Sequence, residues 1–195
     1  MARISLDPPK TLSYRLTTWY ARRSYGTQLD PLAAMGHNMP VAHADAIFEL
    51  QLQRWRKLDR RLKDLAVMAT AATIGCAWCM DFGYWECVTN HGVLPQKLRA
   101  IPHWRDSEVF SELERLVLAY AEAMTATPPQ VTDEMVEGLS AHLSEAQLVE
   151  LTAMVAVENL RSRINSALGL TAQGFKERCE IPAEAAATIA GTASG

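Results

Sequence analysis

The stretch Leu62–Gly83, LKDLAVMATAATIGCAWCMDFG, decides the fold of this chain. Apolar and small residues recur with helical spacing up to Gly75, and glycine commonly ends helices in the left-handed conformation. A second helix is predicted to begin at Cys76 and to run to about residue 90. The two cysteines of the Cys76-Ala-Trp-Cys79 motif are therefore expected in the first turn after a tight helix junction.

Helical signals extend over the rest of the chain, whereas the alternating β-branched segments typical of strands are nearly absent. Capping boxes at Ser111–Glu114 and Ser144–Gln147 predict two helix starts, because their side chains satisfy free N–H groups reciprocally. A long core helix is expected to follow the second box. A first amphipathic helix is predicted from Thr11 to about Ser24, and residues 26–40 are predicted to form a loop. The apolar stripe of that first helix consists of Leu12, Leu16, Trp19 and Tyr20.

These patterns indicate an all-α protein of one domain, residues 1–195, because neither a composition break nor a long Pro/Gly/Ser stretch divides it. We expect a helical core at about residues 40–170 and an N-terminal helical extension at residues 1–39. The small-residue tail, residues 180–195, is expected to be flexible.

Charge and hydropathy exclude several functional classes. The net charge is −3, and the basic residues between Arg54 and Lys63 have the helical spacing of a solvated face, so no nucleic-acid partner is expected. The N-terminus lacks the apolar region of a secretory signal, and no apolar run reaches the length of a membrane span. We therefore expect a soluble cytoplasmic protein with no membrane partner.

The Cys76 and Cys79 thiols favour redox chemistry. Two cysteines separated by two residues can form an intramolecular disulfide, and a helix N-terminus stabilises the reactive thiolate. One thiol would attack a peroxide or a mixed disulfide, and the other would resolve the product. The alternative is that both are buried cysteines that act as small hydrophobic residues.

A zinc site is the nearest rival, because Cys76, Cys79, Cys87 and His91 have a spacing that resembles a metal motif. On a continuous helix Cys87 would lie about 12 Å along the axis from Cys79, whereas zinc–sulfur bonds are about 2.3 Å long. We therefore expect neither a metal nor a tightly bound cofactor, with Cys87 in a helix interface and Cys179 free.

Several segments in order resemble the carboxymuconolactone decarboxylase family, specifically its alkylhydroperoxidase-D-like branch. They are LKDL at residues 62–65, IGCAWCMDFG at 74–83, IPHWRDS at 101–107, RLVLAYAEA at 115–123, VTDE at 131–134 and LSEAQLVELT at 143–152. The likeness covers roughly residues 45 to 170. It implies an antiparallel helical bundle that assembles as a homo-oligomer, commonly a trimer or hexamer.

The resemblance also implies thiol-dependent peroxidase or disulfide-reductase chemistry. Cys79 would be the thiol that attacks the hydroperoxide, and Cys76 the thiol that resolves it. A thiol reductant or a partner disulfide protein would then reduce the pair. In the family, a glutamate and a histidine relay the protons that activate the cysteines.

This chain departs from the family pattern at the proton relay. Asp64 occupies the glutamate position and Gly83 the histidine position, so the group best suited to move protons near neutral pH is absent. Trp78 stands where some members carry a second histidine. Activation of the thiol would then rely on the helix terminus, on water in the space left by Gly83, or on another carboxylate.

Two further carboxylates are candidates for that role. Glu86 would lie level with Asp64 across an antiparallel helix pair, and the two could share a proton. Asp81 either belongs to the relay or complements the positive end of its helix. His91 would lie about 18 Å beyond Cys79 on a continuous helix, too far to replace the missing histidine directly.

Trp78, Phe82 and Trp85 form an aromatic stripe beside the thiols, suited to the core, to an oligomer interface, or to a cavity for an apolar hydroperoxide or flat ligand. Two alternatives to redox catalysis remain open. One is a non-redox decarboxylase or isomerase of a small carboxylated lactone, which would need a cationic clamp such as Arg161 or Arg163. The other is a catalytically weakened helical oligomer.

Overall fold

The computed structural model describes residues 1–179, which form helices and contain no strand, as predicted. None of the helices in this part of the chain is long and apolar enough to cross a membrane. The α-helices of this part are α1 (Leu12–Tyr25), α2 (Asp30–Met35), α3 (Met39–Leu52), α4 (Arg60–Ile74), α5 (Ala77–His91), α6 (Pro95–Ala100), α7 (Glu112–Thr125), α8 (Asp133–Ser140) and α9 (Glu145–Ala167). Short 3₁₀ helices form at Ile101–Asp106, between α6 and α7, and at Lys176–Arg178, after α9.

Helix α4 lies at the centre of the bundle and packs against α5, α7 and α9. Its alanines allow this close approach, since Ala66 and Ala71 are fully buried. The facing helices supply larger apolar side chains, such as Leu118 of α7 and Leu151 of α9, which are also fully buried. Truncating either leucine to alanine would cost about 2–5 kcal/mol of unfolding free energy.

The junction between α4 and α5 forms as the sequence predicts. Gly75 adopts a left-handed conformation with φ of 77°, and its N–H donates to the carbonyl of Ala71. Cys76 then caps α5, and its Sγ accepts a hydrogen bond from the backbone N–H of Cys79 at 3.2 Å. The turn thus places both cysteines at the N-terminal end of α5, beside its free N–H groups.

The predicted capping boxes are confirmed. The Ser111 hydroxyl accepts from the backbone N–H of Glu114, whose carboxylate accepts from the N–H of Ser111. At the start of α9, the side chain of Gln147 accepts from the N–H of Ser144. These contacts fix where α7 and α9 begin, which aligns their buried faces with α4.

The expected loop is wrong in part, and two apolar patterns are more exposed than their spacing suggests. The predicted loop at residues 26–40 contains α2, whose start carries Pro31, a residue with the fixed φ that a first turn requires. The apolar stripe of α1 faces outward, with Trp19 65% exposed, because Tyr14 and Ala21 are the residues that this helix buries. In the long core helix expected after the second capping box, α9, Leu151 and Val155 are fully buried but Leu160 is 47% exposed.

The N-terminal helices α2 and α3 position the site, because together with α4, α5 and α9 they enclose a cavity. One cross-link is the ion pair between Glu49 of α3 and Arg161 of α9. The tail for which flexibility is predicted, residues 180–195, lies outside the described residues.

Candidate active site

The sulfur atoms of Cys76 and Cys79 are joined in a disulfide. Both residues are buried, but Cys79 lines the cavity and Cys76 does not. The two cysteines therefore have different surroundings: Cys76 occupies the cap of α5, and Cys79 faces the space that a small molecule could enter.

The cavity has a volume of about 380 Å³ and lies between the N-terminal helices and the core. Its apolar wall comes from α2, the end of α1 and the first turns of α5, and its polar wall from α3, α4, α9 and the later turns of α5. Carboxyl groups dominate the polar side, with five of them against three lysine or arginine cations. The carboxyl groups belong to Asp45, Glu49, Asp64, Glu86 and Glu158, and the cations to Arg60, Lys63 and Arg161.

Asn165 of α9 is a site residue that sequence reasoning missed. Its Nδ2 lies 3.4 Å from Sγ of Cys79 and donates to it, and the residue is only 4% exposed. A buried amide donor stabilises negative charge on the sulfur that it faces. The available signal was a polar residue on the buried face of α9, a face that also buries Glu158 and Ser162.

Asp64 and His91, which the sequence argument did not connect, lie together in the cavity wall. Nε of Arg60 donates to Oδ1 of Asp64 at 3.2 Å, and the Arg60 guanidinium lies 2.7 Å from Nε2 of His91. Nδ1 of His91 is 3.0 Å from Oδ2 of Asp64, which is ion-pair distance but outside hydrogen-bond geometry. His91 thus joins the carboxylate at the family's glutamate position, although it ends α5 twelve residues after Cys79.

Glu86 lines the same cavity, as predicted for a residue level with Asp64. The partners that contact Asp64, however, are Arg60 and His91 rather than the Glu86 carboxyl. Burial raises the pKa of Glu86, the charge of Asp64 adds to the rise, and His91 and Arg60 oppose it. Burial also raises the pKa of the Cys87 thiol, with the charges of Asp64 and Glu86 as further causes.

Gly83 lines the cavity, but the direction in which its side chain would point is filled. A Cβ atom added to Gly83 would lie 2.6 Å from Sδ of Met68, a side chain that is 1% exposed. The thioether of Met68 from α4 therefore takes the side of Gly83 on which the family's histidine would stand, and water there stays a prediction only for the side that faces the cavity.

Asp81 holds the C-terminal segment on α5 instead of facing the cavity. Its carboxylate accepts hydrogen bonds from the backbone N–H groups of Gln173, Phe175 and Lys176. Gln173 in turn accepts from Nε1 of Trp78 at 2.7 Å, which fixes the indole. Asp81 therefore acts on the site indirectly, through the position of Trp78.

The aromatic stripe divides between the cavity and the core. Trp78 and Phe82 line the cavity and stack with ring centroids 4.9 Å apart and planes 12° from parallel. Tyr25 contacts Phe82 edge to face at 5.4 Å and extends this wall. Trp85 does not line the cavity and packs against Phe175. The cavity therefore presents a flat aromatic surface next to Cys79.

Arg161 and Glu158 of α9 face the cavity about one and two turns before Asn165, respectively. Nε of Arg161 donates to Glu49 at 2.7 Å, and its NH1 lies 3.5 Å from Glu158. Burial raises the pKa of Glu158 to about 7, against the opposing effects of Arg161 and of a hydrogen bond from Ser162. Arg163, the other clamp candidate, points to the carbonyl of Thr125.

Comparisons with known proteins agree with this architecture. Residues 39–123 match the model of the carboxymuconolactone decarboxylase family. The uncharacterized protein YnjA of Escherichia coli K12 is 37% identical over 172 residues, which are 88% of this chain and 92% of YnjA.

Two solved structures show the same fold. One is a protein of unknown function, ATU0492 from Agrobacterium tumefaciens, described as a candidate antioxidant-defence protein AhpD (TM-score 0.66, 25% identity, 71% of this chain and 94% of that chain). The other is a variant of the debrominase Bmp8 in complex with 2,3,4-tribromopyrrole (TM-score 0.72, 21% identity, 98% and 99% of the two chains). The family-model match over residues 39–123, together with the similarity to YnjA over nearly its whole length, shows that this chain belongs to the carboxymuconolactone decarboxylase family.

Proposed function

We propose that this protein is a thiol-dependent peroxidase or disulfide oxidoreductase that uses Cys79 and Cys76. The observation that carries the proposal is the asymmetric disulfide: Cys79 lies on the cavity wall with the Asn165 amide donating to its sulfur, and Cys76 caps α5 behind it. This is the arrangement that an attacking thiol and a resolving thiol require.

In the peroxidase reaction, the Cys79 thiolate attacks one oxygen of the hydroperoxide and the O–O bond breaks. The alcohol leaves with a proton, and Cys79 becomes a sulfenic acid. The Cys76 thiolate then attacks the Cys79 sulfur, and water leaves as the disulfide forms. An external dithiol returns two electrons and two protons to the pair. Exchange with a partner disulfide would use the same two thiols without an oxygen.

The protons have a source even though the family's histidine position holds Gly83. Burial raises the pKa of both Glu86 and Glu158, so carboxylic acids are available in the cavity closer to neutral pH than an ordinary glutamate. Either can protonate the leaving alkoxide through water. Turnover is expected to be slower than with an imidazole beside the thiol, because neither acid contacts Cys79.

A decarboxylase or isomerase of a carboxylated lactone has less support. Each lysine or arginine that lines the cavity already contacts a carboxylate: Arg60 pairs with Asp64, Lys63 with Glu150 and Arg161 with Glu49. A carboxylate substrate would have to displace one of these internal acids. The acidic cavity instead favours neutral substrates.

The aromatic wall supports a second candidate, reductive dehalogenation of a flat haloaromatic ring. Stacked Trp78 and Phe82 offer the ring a parallel surface beside Cys79. The electron count suits a dithiol: one thiolate takes the halogen from carbon, the carbon takes a proton, and the second thiol displaces halide as the disulfide forms. The two-electron oxidation of the cysteine pair is the same as with peroxide.

Mass spectrometry of the reduced protein tests the proposal. One equivalent of an organic hydroperoxide should remove two hydrogens, reversibly with a dithiol, in wild type and in Cys179→Ser. Cys76→Ser should instead accumulate a sulfenic acid, and Cys79→Ser should not react. If both cysteines stay reduced while the protein remains folded, it is not a thiol oxidoreductase. Replacing the hydroperoxide by a bromopyrrole and measuring bromide release tests the second candidate.

A further inference from the structure

We infer that Asp64, Cys87 and His91 form a binding site for a divalent metal ion of the zinc class, with an open coordination position toward the cavity. One donor atom from each residue, a carboxylate oxygen, the Cys87 sulfur and a ring nitrogen, lies within 4.8 Å of the other two. Thiolate, imidazole and carboxylate are the ligands that zinc takes in proteins.

The helices bring the three ligands together. Cys87 and His91 are four residues apart on α5, so they occupy neighbouring positions on one helix face. That face meets α4, which packs against α5 and contributes Asp64 from its first turns. Metal sites inside helical bundles are built in this way, from paired residues on one helix and a carboxylate on its neighbour.

Two buried atoms that make no hydrogen bond mark where the ion would bind. Oδ2 of Asp64 and Nδ1 of His91 are buried, 3.0 Å apart, and make no hydrogen bond. Asp64 is only 6% exposed, and such a group is costly to bury unless something satisfies it. Tetrahedral zinc places its ligand atoms about 3.3–3.8 Å apart, so side-chain shifts of about 1 Å would complete the site.

Arg60 is the competing cation. Its Nε donates to Oδ1 of Asp64, and its guanidinium lies against Nε2 of His91, which leaves Oδ2 and Nδ1 for the metal. When Nδ1 coordinates an ion, the ring proton moves to Nε2, and the guanidinium must then leave Nε2. The Arg60 side chain is 54% exposed, so it can swing into solvent.

This set differs from the four-residue motif considered in the sequence, because Cys76 and Cys79 are not ligands. The site is therefore compatible with a closed disulfide. Asp64, Cys87 and His91 all line the cavity, so a fourth position would be open to water or to a ligand there. Three protein ligands and one open position are typical of zinc sites that interact with small molecules.

Cobalt binding to the full chain with the Cys76–Cys79 disulfide closed tests the inference. Co²⁺ should bind one to one and give the near-ultraviolet charge-transfer band of a cobalt–thiolate bond, and one equivalent of Zn²⁺ should displace it. Cys87→Ser should lose the band and bind Zn²⁺ at least about tenfold more weakly. Tenfold is the lower end of the loss in affinity when a residue that only supports a metal ligand is mutated, so the loss of a ligand itself should be no smaller. Cys179→Ser, the matched control, should keep both.

Two more variants complete the test. His91→Gln should also weaken Zn²⁺ binding at least about tenfold. Because His91 lies at the edge of the cavity, this variant tests the site even if Cys87→Ser does not fold. Arg60→Gln should bind Zn²⁺ as tightly as wild type or more tightly, because the competing guanidinium is gone. Absence of a one-to-one complex in the oxidised wild type, or a band that survives Cys87→Ser, would overturn the site. Neither outcome depends on peroxide turnover, so the thiol oxidoreductase proposal stands or falls separately.

Discussion

At the scale of single residues, Gly83 and Met68 act as a pair. The Met68 sulfur occupies the position that a side chain at 83 would take, so adding an imidazole by Gly83→His alone overpacks the helix interface, at a cost of about 1–3 kcal/mol. Gly83→His combined with Met68→Ala gives the ring room beside Cys79. We expect the double variant to consume hydroperoxide at least tenfold faster than wild type. General acid–base catalysis typically contributes about 10²-fold or more to a rate, so a tenfold gain would be part of that effect.

Met68→Ala alone is the control for that pair, since it creates the space without the imidazole. It should lose stability by about 2–5 kcal/mol and gain no activity. Equal rates for the folded double variant and wild type, measured with a saturating dithiol reductant, would show that proton transfer does not limit turnover.

Asn165 controls the reactivity of Cys79. Removing a hydrogen bond to a charged sulfur costs about 1.5–3 kcal/mol, so Asn165→Leu should slow alkylation of the reduced Cys79 by iodoacetamide about tenfold or more at neutral pH. Asn159→Leu is the matched control, because Asn159 lies on the same helix but bonds to Thr125. Similar alkylation rates in the two variants would mean that the amide does not stabilise the thiolate.

Glu158 makes stability depend on pH. Its pKa is raised to about 7 in the folded state, so the native protein binds a proton that the unfolded chain releases near the ordinary value. Stability is full below the unfolded pKa and declines as pH rises toward 7, by roughly 1 kcal/mol per pH unit between pH 5 and 7. Urea unfolding should show that this decline is smaller in Glu158→Gln than in wild type. The exposed control Glu137→Gln should retain the wild-type slope.

At the scale of elements, Asp81 joins α5 to the segment that follows α9. The Asp81 carboxylate accepts hydrogen bonds from three backbone N–H groups of that segment. In Asp81→Asn one of the two accepting oxygens is replaced by an NH₂ group, which can only donate. We expect a loss of about 2–4 kcal/mol and a fall in the melting temperature. Trypsin should also cleave faster after Lys176 and Arg178. Asp106→Asn, which changes an exposed aspartate, should behave as wild type in both measurements.

The elements differ in how far the sequence predicts them, and the difference has a physical cause. Capping boxes and the left-handed Gly75 are local, because the atoms that they satisfy lie within a few residues, and these helix ends were predicted correctly. Which face of α1 is covered depends on distant partners, so periodicity identified an apolar stripe but not its exposure. Helix α2 carries a usable signal in Asp30-Pro31, but its six residues fell below the length that periodicity can detect.

At the scale of the whole molecule, the cavity assembles residues that are remote in the sequence. Cys79 meets Asn165 across 86 positions, and Glu49 meets Arg161 across 112. A family motif predicts the cysteines and the carboxylate position, because these lie within one helix pair. It does not predict the contact between Asp64 and His91, since His91 ends α5 and lies beyond the motif segment at residues 74–83. The core motif thus supplies the cysteines of the cavity, and the N-terminal helices α2 and α3 supply the rest of its wall together with α9.

The charge of this cavity leads to a test of substrate choice. Because its cations are paired with internal acids, wild type should turn over a neutral aromatic hydroperoxide with a higher kcat/KM than an analogue that carries a ring carboxylate. Glu49→Gln removes the nearer of the two carboxylates that pair with Arg161, which makes the guanidinium more available to an anionic substrate. We expect the ratio of kcat/KM for the neutral hydroperoxide to that for the carboxylated analogue to fall about tenfold, which is the effect of one charge-assisted hydrogen bond. Glu137→Gln should leave the preference unchanged, and a Glu49→Gln variant with the wild-type preference would mean that cavity charge does not select the substrate.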